Sequence, residues 1–202
     1  MKMKPLFPRT AVLVIAALSL SACVTTPPEP EAPAIAVRTA SQMLAAVHKA
    51  AQGSDDRELD VQPLRDPQVE DLRATAGKAM AGGDPAAAAA ALDQALGIVA
   101  DDPAVLQERA EVALAQGEFD RAEQFAMRAT GLGSAVGPLC RRHWETVRQV
   151  RGHRRELAAA PLKRPNQAQL DEQAARLAAL DRAIGEAGQQ FDTCTVPGIN
   201  RM

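Results

Sequence analysis

The sequence predicts an all-α fold: a short array of about two helical repeats, capped by a C-terminal antiparallel helical hairpin. Three observations predict it. Composition is the first: the chain is Ala-rich, aromatics make up 2%, Tyr is absent, and 14 Pro are concentrated at element boundaries. Internal repetition is the second. Laying Val69–Asp102 over Pro103–Val136 superimposes Leu72 on Leu106, Ala76 on Ala110, Ala79 on Ala113, Gly83 on Gly117, Asp84 on Glu118, Ala88 on Ala122 and Ala95 on Ala129, a period of 34 residues. The third is a seven-residue apolar series near the C-terminus, Leu170, Leu177, Ile184 and Phe191, the spacing of helices that pack side by side. A core of Ala and Leu lets helices approach closely but buries little area per residue. At roughly 25 cal/mol per Å² its stabilisation is modest.

Residues 1–22 read as a targeting segment. Lys2, Lys4 and Arg9 give a positive start, Ala11–Leu20 is apolar apart from Ser19, and small residues follow. This is the layout of a secretory signal peptide, too short to span a bilayer. Leu20-Ser21-Ala22-Cys23 resembles the bacterial lipobox. The resemblance implies that Cys23 becomes the acylated first residue of the mature chain (palmitate is one such acyl group), which would tie the protein to a membrane. An ordinary cleaved signal with an incidental cysteine is the alternative. Losing residues 1–22 removes three cations and moves the formal net charge from -2 to -5. Residues 23–38 form a Pro-rich linker, since each Pro removes a helix donor and clashes with the preceding turn. At about 3 Å per residue it spans roughly 45 Å. Val24 stands where lipoproteins kept in the inner membrane commonly carry Asp, so the resemblance implies the outer membrane and its periplasmic face.

Segment 39–67 opens with a helix over 39–52, with Met43, Leu44, Val47 and Ala51 on one face and Gly53 as its stop. An acidic connector follows, interrupted by Pro63 and Pro67. Seven acids against two arginines between Ser54 and Asp71 read as solvated surface, with an acidic binding patch as the alternative.

The repeat region, 68–135, reads as helices at 68–81, 85–99, 103–116 and 119–131, with a Gly-acid turn inside each pair. "VLQERAEVALAQGEFDRAEQFAMRA" (Val105–Ala129) resembles a tetratricopeptide repeat, and "VEDLRATAGKAMAGGDPAAAAAALDQAL" (Val69–Leu96) resembles a second, weaker one. A 34-residue helix–turn–helix period is that family's signature. The sequence departs from the family at Leu106 (usually Trp), Ala113 (usually Tyr), Pro85 (commonly aromatic) and Ala126 (usually large). At least three repeats are usually needed for a stable stack, so the 39–52 helix and the C-terminal helices must complete it. The resemblance implies a partner-binding groove lined by the first helix of each repeat: Arg73, Gly77, Met80 and Ala81, then Gln107, Glu111, Leu114 and Ala115. The alternative is that these residues are merely exposed, or covered by another helix of the chain.

Segment 136–196 reads as the hairpin, ahead of a tail at 197–202. Pro138 opens a helix over 138–157 with Cys140, Val147, Val150 and Leu157 on one face. Pro161 and Pro165 bracket a turn, and a last helix covers about 166–190, with Leu180 and Ala187 between the heptad positions. A homodimerising coil is the alternative to the hairpin. Arg141, Arg148, Arg151 and Arg155 fall within roughly an 80° arc at about 100° per residue, with Trp144 beside them. Arg and Trp are enriched at binding hot spots, so this stripe is a candidate contact for anionic headgroups, cell-wall carboxylates or an acidic protein. The plainer reading is a solvated face paired with the acidic connector.

Export would place the chain in an oxidising compartment, where cysteines pair. With Cys23 taken by lipid, Cys140 and Cys194 remain, at ends that an antiparallel hairpin brings together; two free thiols are the alternative. No catalytic constellation stands out around His48, His143 and His153, and Cys140 with His143 supplies only two ligands, short of a zinc site. The reading is therefore of a non-enzyme with no cofactor and no metal. The net charge of -2 argues against general nucleic-acid binding, which favours basic domains. The expectation is a periplasm-facing lipoprotein scaffold that binds a protein of an envelope assembly or secretion complex. An adaptor or regulator meeting cell-wall enzymes or peptidoglycan through the Arg stripe is the alternative, and a structural spacer is the third.

Overall fold

A computed structural model describes residues 36–52, 64 and 66–195. The signal segment 1–22, Cys23, most of the linker, most of the acidic connector (Gly53 and Pro63 included) and the tail 197–202 lie outside the described residues. The chain divides into two units, Met1–Pro33 and Ala34–Met202, and the described residues all belong to the second.

The described residues form seven α-helices and no strand: α1 (Ala40–Ala51), α2 (Pro67–Ala81), α3 (Pro85–Ile98), α4 (Pro103–Ala115), α5 (Phe119–Thr130), α6 (Pro138–Ala158) and α7 (Gln167–Thr193). None is long and apolar enough to cross a membrane. Three starts share one device, an aspartate N-cap followed by proline at the first helical position. The carboxylate oxygens accept backbone N–H bonds, Asp66 from Gln68 at 2.8 Å, Asp84 from Ala87 at 2.9 Å and Asp102 from Ala104 at 2.8 Å. These satisfy donors that the helix leaves orphaned, while proline loses nothing there because its missing N–H would be unpaired anyway. Thr39 opens α1 and Asn166 opens α7, each with a full capping box.

Both repeats turn in the same way. Gly83 and Gly117 adopt φ of 77° and 74°, a region that costs glycine little and other residues much. The following N–H groups reach back across the turn, Asp84 to the Ala79 carbonyl at 2.9 Å and Glu118 to the Ala113 carbonyl at 2.8 Å. The same bond thus recurs one period later.

Consecutive helices pack in order from α2 to α7, and the α6–α7 hairpin continues the series as a third pair. Small residues carry the first interface: Ala76, Ala88, Ala89, Ala91 and Ala95 cluster with Val69, Leu92, Val105 and Val112. Around α6, Ala110, Ala126, Val147 and Ala187 are buried with Phe125 and Trp144 against them. The last helix runs to Thr193, a few residues beyond its expected end, and Cys194 caps it. Of the heptad positions, Leu177, Ile184 and Phe191 are half-buried and Leu170 is exposed, while Ala187 is fully buried.

Helix α1 departs from sequence order. It packs on α4 and α6, with Met43 and Val47 buried among Ala113, Leu114, Ala122 and Val150. It runs antiparallel to α6. Arg38, ahead of α1, holds Glu156 near the end of α6, and Arg141 near the start of α6 donates from Nε to the Ala50 carbonyl at 2.9 Å and from Nη2 to the Ala51 carbonyl at 3.2 Å.

Candidate functional site

The face shared by α2, α4 and α6 holds most of the residues expected to bind a partner, and it is not open along its length. Gln107 and Leu114 are fully buried, Glu111 is 7% exposed and Ala115 is half-buried. They form the floor under α1 and α6 instead of lining an open groove. The physical reason is the apolar face of α1, which has Met43 and Val47 to bury and finds Ala113 and Leu114 beside α6. On α2 the equivalent positions fare differently. Gly77 and Ala81 are exposed, and Met80 is half-buried against the first cluster. Arg73 lies across to α4, where its Nε donates to Glu108 at 3.0 Å, and its Nη1 donates to Glu70 at 2.7 Å. These carboxylates raise its pKa further although partial burial works against its charge.

Under α1 lies a polar network. Gln107 Nε2 donates to Glu111 at 2.8 Å and to Thr146 at 2.9 Å, and its carbonyl oxygen accepts from His143 Nδ1 at 2.7 Å. Arg142 donates twice to one Glu111 oxygen, at 2.9 and 2.6 Å, and His48 of α1 donates to the other at 3.1 Å. Burial pushes the Glu111 carboxyl up, but the His48 bond, the Arg142 charge and the Gln107 bond outweigh it and hold the group below its usual range. The same carboxylate raises His48 above the ordinary imidazole value, against partial desolvation. Burial, aided by the Arg142 charge, lowers His143 to about 4, so its ring is neutral. With its proton on Nδ1, the buried Nε2 has no hydrogen-bond partner among the described residues.

The arginine stripe does not form a free charged face. Arg141 is 3% exposed at the C-terminus of α1, where carbonyls welcome a cation. Arg148 pairs with Glu145 at 3.1 Å and lies over the Phe191 ring. Arg151 meets Glu123 at 2.7 Å and the Ala183 carbonyl at 2.7 Å, and Arg155 meets Asp181 at 2.9 Å. Among the described residues these partners lie on α1, α5, α6 and α7; most of the acidic connector lies outside the described residues. Trp144 is half-buried in the α6–α7 core instead of standing beside an open stripe. The hairpin brings Cys140 and Cys194 to disulfide distance, with Cα atoms 5.6 Å apart, and the Gly137 N–H bonds the Cys194 carbonyl beside them at 2.8 Å.

Several residues escaped sequence reasoning. Arg109 is 2% exposed, bonded to Asp93 at 2.7 Å and set over the Phe125 ring. Nothing in the local pattern marks it as a core residue. Arg142, His143 and Thr146 could have been flagged as polar positions on the α6 face that turns toward α4. Among the described residues, no group of three or more His, Cys, Asp or Glu is arranged to hold a metal ion.

These features define a class: stacked antiparallel helix pairs with a glycine turn in each of the first two and an added helix laid across the first members of the second and third pairs. Residues 79–131 match the family model for the tetratricopeptide repeat, and over that stretch the protein is tetratricopeptide-like. No curated protein and no solved structure matches the chain.

Proposed function

We propose that this protein is a lipid-anchored scaffold on the periplasmic face of the bacterial outer membrane, holding one protein of an envelope assembly or secretion complex on the α2 end of its array. Tetratricopeptide-like repeats point to protein–protein interaction, and such repeats are typically non-catalytic. The observation that carries the choice of surface is the uneven cover of the first-helix face. There α1 occupies α4 and α6, while α2 keeps Gly77, Lys78 and Ala81 exposed. Gly77 and Ala81 lie one helical turn apart, and side chains this small let another backbone come close. The anchor is supported by the signal-like segment and by Leu20-Ser21-Ala22-Cys23. The Cys140–Cys194 pair fits an oxidising compartment.

Photo-crosslinking in the bacterial cell tests the surface. A photoreactive residue at position 77 or 81 captures a defined protein, and one at exposed Gln124 on α5 does not. Equal capture from all three positions, or capture from 124 alone, would move the surface away from α2. Cys23→Ala tests the anchor: the protein leaves the membrane fraction for the soluble periplasm, and unchanged fractionation removes lipid from the reading.

A further inference from the structure

Among the described residues, the tip of the α6–α7 hairpin combines unpaired cations with exposed leucines. Arginines along α6 have carboxylate or carbonyl partners, yet among the described residues Lys163 and Arg164 in the connecting turn have none and are exposed. Three leucines stand exposed in the same stretch, Leu162 next to them and Leu157 and Leu170 to either side, at 42%, 52% and 43%. Residues 157–170 contain no acid; the nearest carboxylates along α7 are Asp171, which accepts from Gln167 at 2.8 Å, and Glu172. The turn is braced by Pro161 and Pro165, and Arg164 itself takes φ of 49°, a region that residues with a side chain seldom adopt. Cations and leucines displayed together on a short projection suit a surface that is anionic outside and apolar just beneath.

The path of the chain indicates which surface that is. Arg38 is fixed at this same end of the hairpin, its backbone N–H donating to Glu156 at 2.8 Å and its guanidinium Nη1 to Gln149 at 2.9 Å. The described chain therefore begins beside the tip, where Arg38 is held. We propose that the hairpin tip, Leu157, Leu162, Lys163, Arg164 and Leu170, docks on an anionic lipid bilayer and gives the folded unit a second point of contact with the membrane. Lys163 and Arg164 meet headgroup phosphates, and Leu162 enters the acyl boundary. The geometry rests on the lipid-anchored reading, but the test does not.

The full-length chain carrying Cys23→Ser, which has no acyl acceptor, is mixed with phosphatidylglycerol–phosphatidylethanolamine vesicles and with phosphatidylcholine vesicles. Residues 1–22, with three cations and an apolar run, contribute equally to every variant, so differences between variants report the tip. Co-sedimentation of the parent with the anionic vesicles exceeds that with the neutral ones at low salt, and the excess shrinks as salt rises. Lys163→Glu with Arg164→Glu lowers binding to the anionic vesicles by about tenfold or more, as expected for two cations near a charged surface, and Leu162→Ser lowers it a few-fold, with helical content and melting unchanged in both. A charge-reversed chain that binds the anionic vesicles as well as its parent overturns the proposal. So does a parent chain that shows no preference, or a charge reversal that costs a crosslinked protein and leaves vesicle binding intact, which would make the tip a protein surface. Failure of the anchor is read separately, by fractionation of the Cys23→Ala protein.

Discussion

Helices α2 and α4 occupy the same place in successive repeats, yet they meet opposite fates. In α4, ten residues are buried; in α2 only Val69 and Ala76 are. Both have an aspartate cap, a proline start and a glycine turn with the same backrunning hydrogen bond. The difference lies in the neighbours. Helix α4 is enclosed by α1, α3, α5 and α6, whereas α2 packs chiefly on α3. Repeat identity thus sets the shape of a helix pair, and the company it keeps sets which side chains are core and which remain available. Position 107 is Gln, buried in a network, and position 73 one period earlier is Arg, half-exposed between two carboxylates.

The largest effect that would sharpen this contrast comes from the aligned pair Leu114 and Met80. Leu114→Ala removes a fully buried side chain and should cost about 3 kcal/mol, within the range for core leucines. Met80→Ala should cost about 1 kcal/mol or less, since Met80 is half out of the core. Urea unfolding with unchanged slope measures both. Equal losses would mean that α1 does not cover α4 in solution.

Acid should act on the covered region before the open one. His143 titrates near 4 in the folded chain and near 6.5 when unfolded. Between those values the unfolded state binds the extra proton, so stability falls as pH drops from about 6.5 to 4, by a few kcal/mol at most. His48 has the opposite sign. Its raised value makes its contribution complete below about 6.5 and lost as pH climbs through the folded value. Glu111, held low, contributes fully above the unfolded carboxylate value, and that contribution is lost as pH falls from there through its depressed folded value. Thermal melts followed by circular dichroism, run across this range, should show the acid limb shrink in His143→Gln. An unaltered limb would assign the acid sensitivity to other groups.

The smallest effect tests what the two repeats share. Gly117→Val and Gly83→Val should each cost about 1 kcal/mol or more, because φ is positive at both. The costs should match, since neither added Cβ would meet anything within 4 Å. A large inequality would mean that one turn is tied into its surroundings and the other is not.

What the sequence made legible follows the same division. Helix ends, turns and the 34-residue period could be read because they are fixed by residues within a few positions of one another: a cap, a proline, a glycine. The meeting of Cys140 and Cys194 follows from two helix lengths and an antiparallel turn. The state of Gln107, Glu111 and Leu114 could not be read, because it depends on a helix more than fifty residues away choosing that face. The arginines of α6 were equally opaque. Their spacing places them on one stripe, but their partners Glu123 and Asp181 lie on other helices, and an ion pair across an interface leaves no periodic mark. Arg109 is the hardest case, since a charged residue in a helix reads as surface unless its Asp93 partner is already in view.

The docking of α1 also sets a timetable. As the chain is made, α1 emerges before any surface it can occupy, and contacts such as Arg38 with Glu156 span 118 positions. The repeat pairs close over short loops and can form as they appear, whereas pairings between distant parts of a chain carry a larger closure entropy and arrive late. Met43 and Val47 can therefore be fully covered only once α6 is present, so the first of the described helices waits on one nearly a hundred residues later.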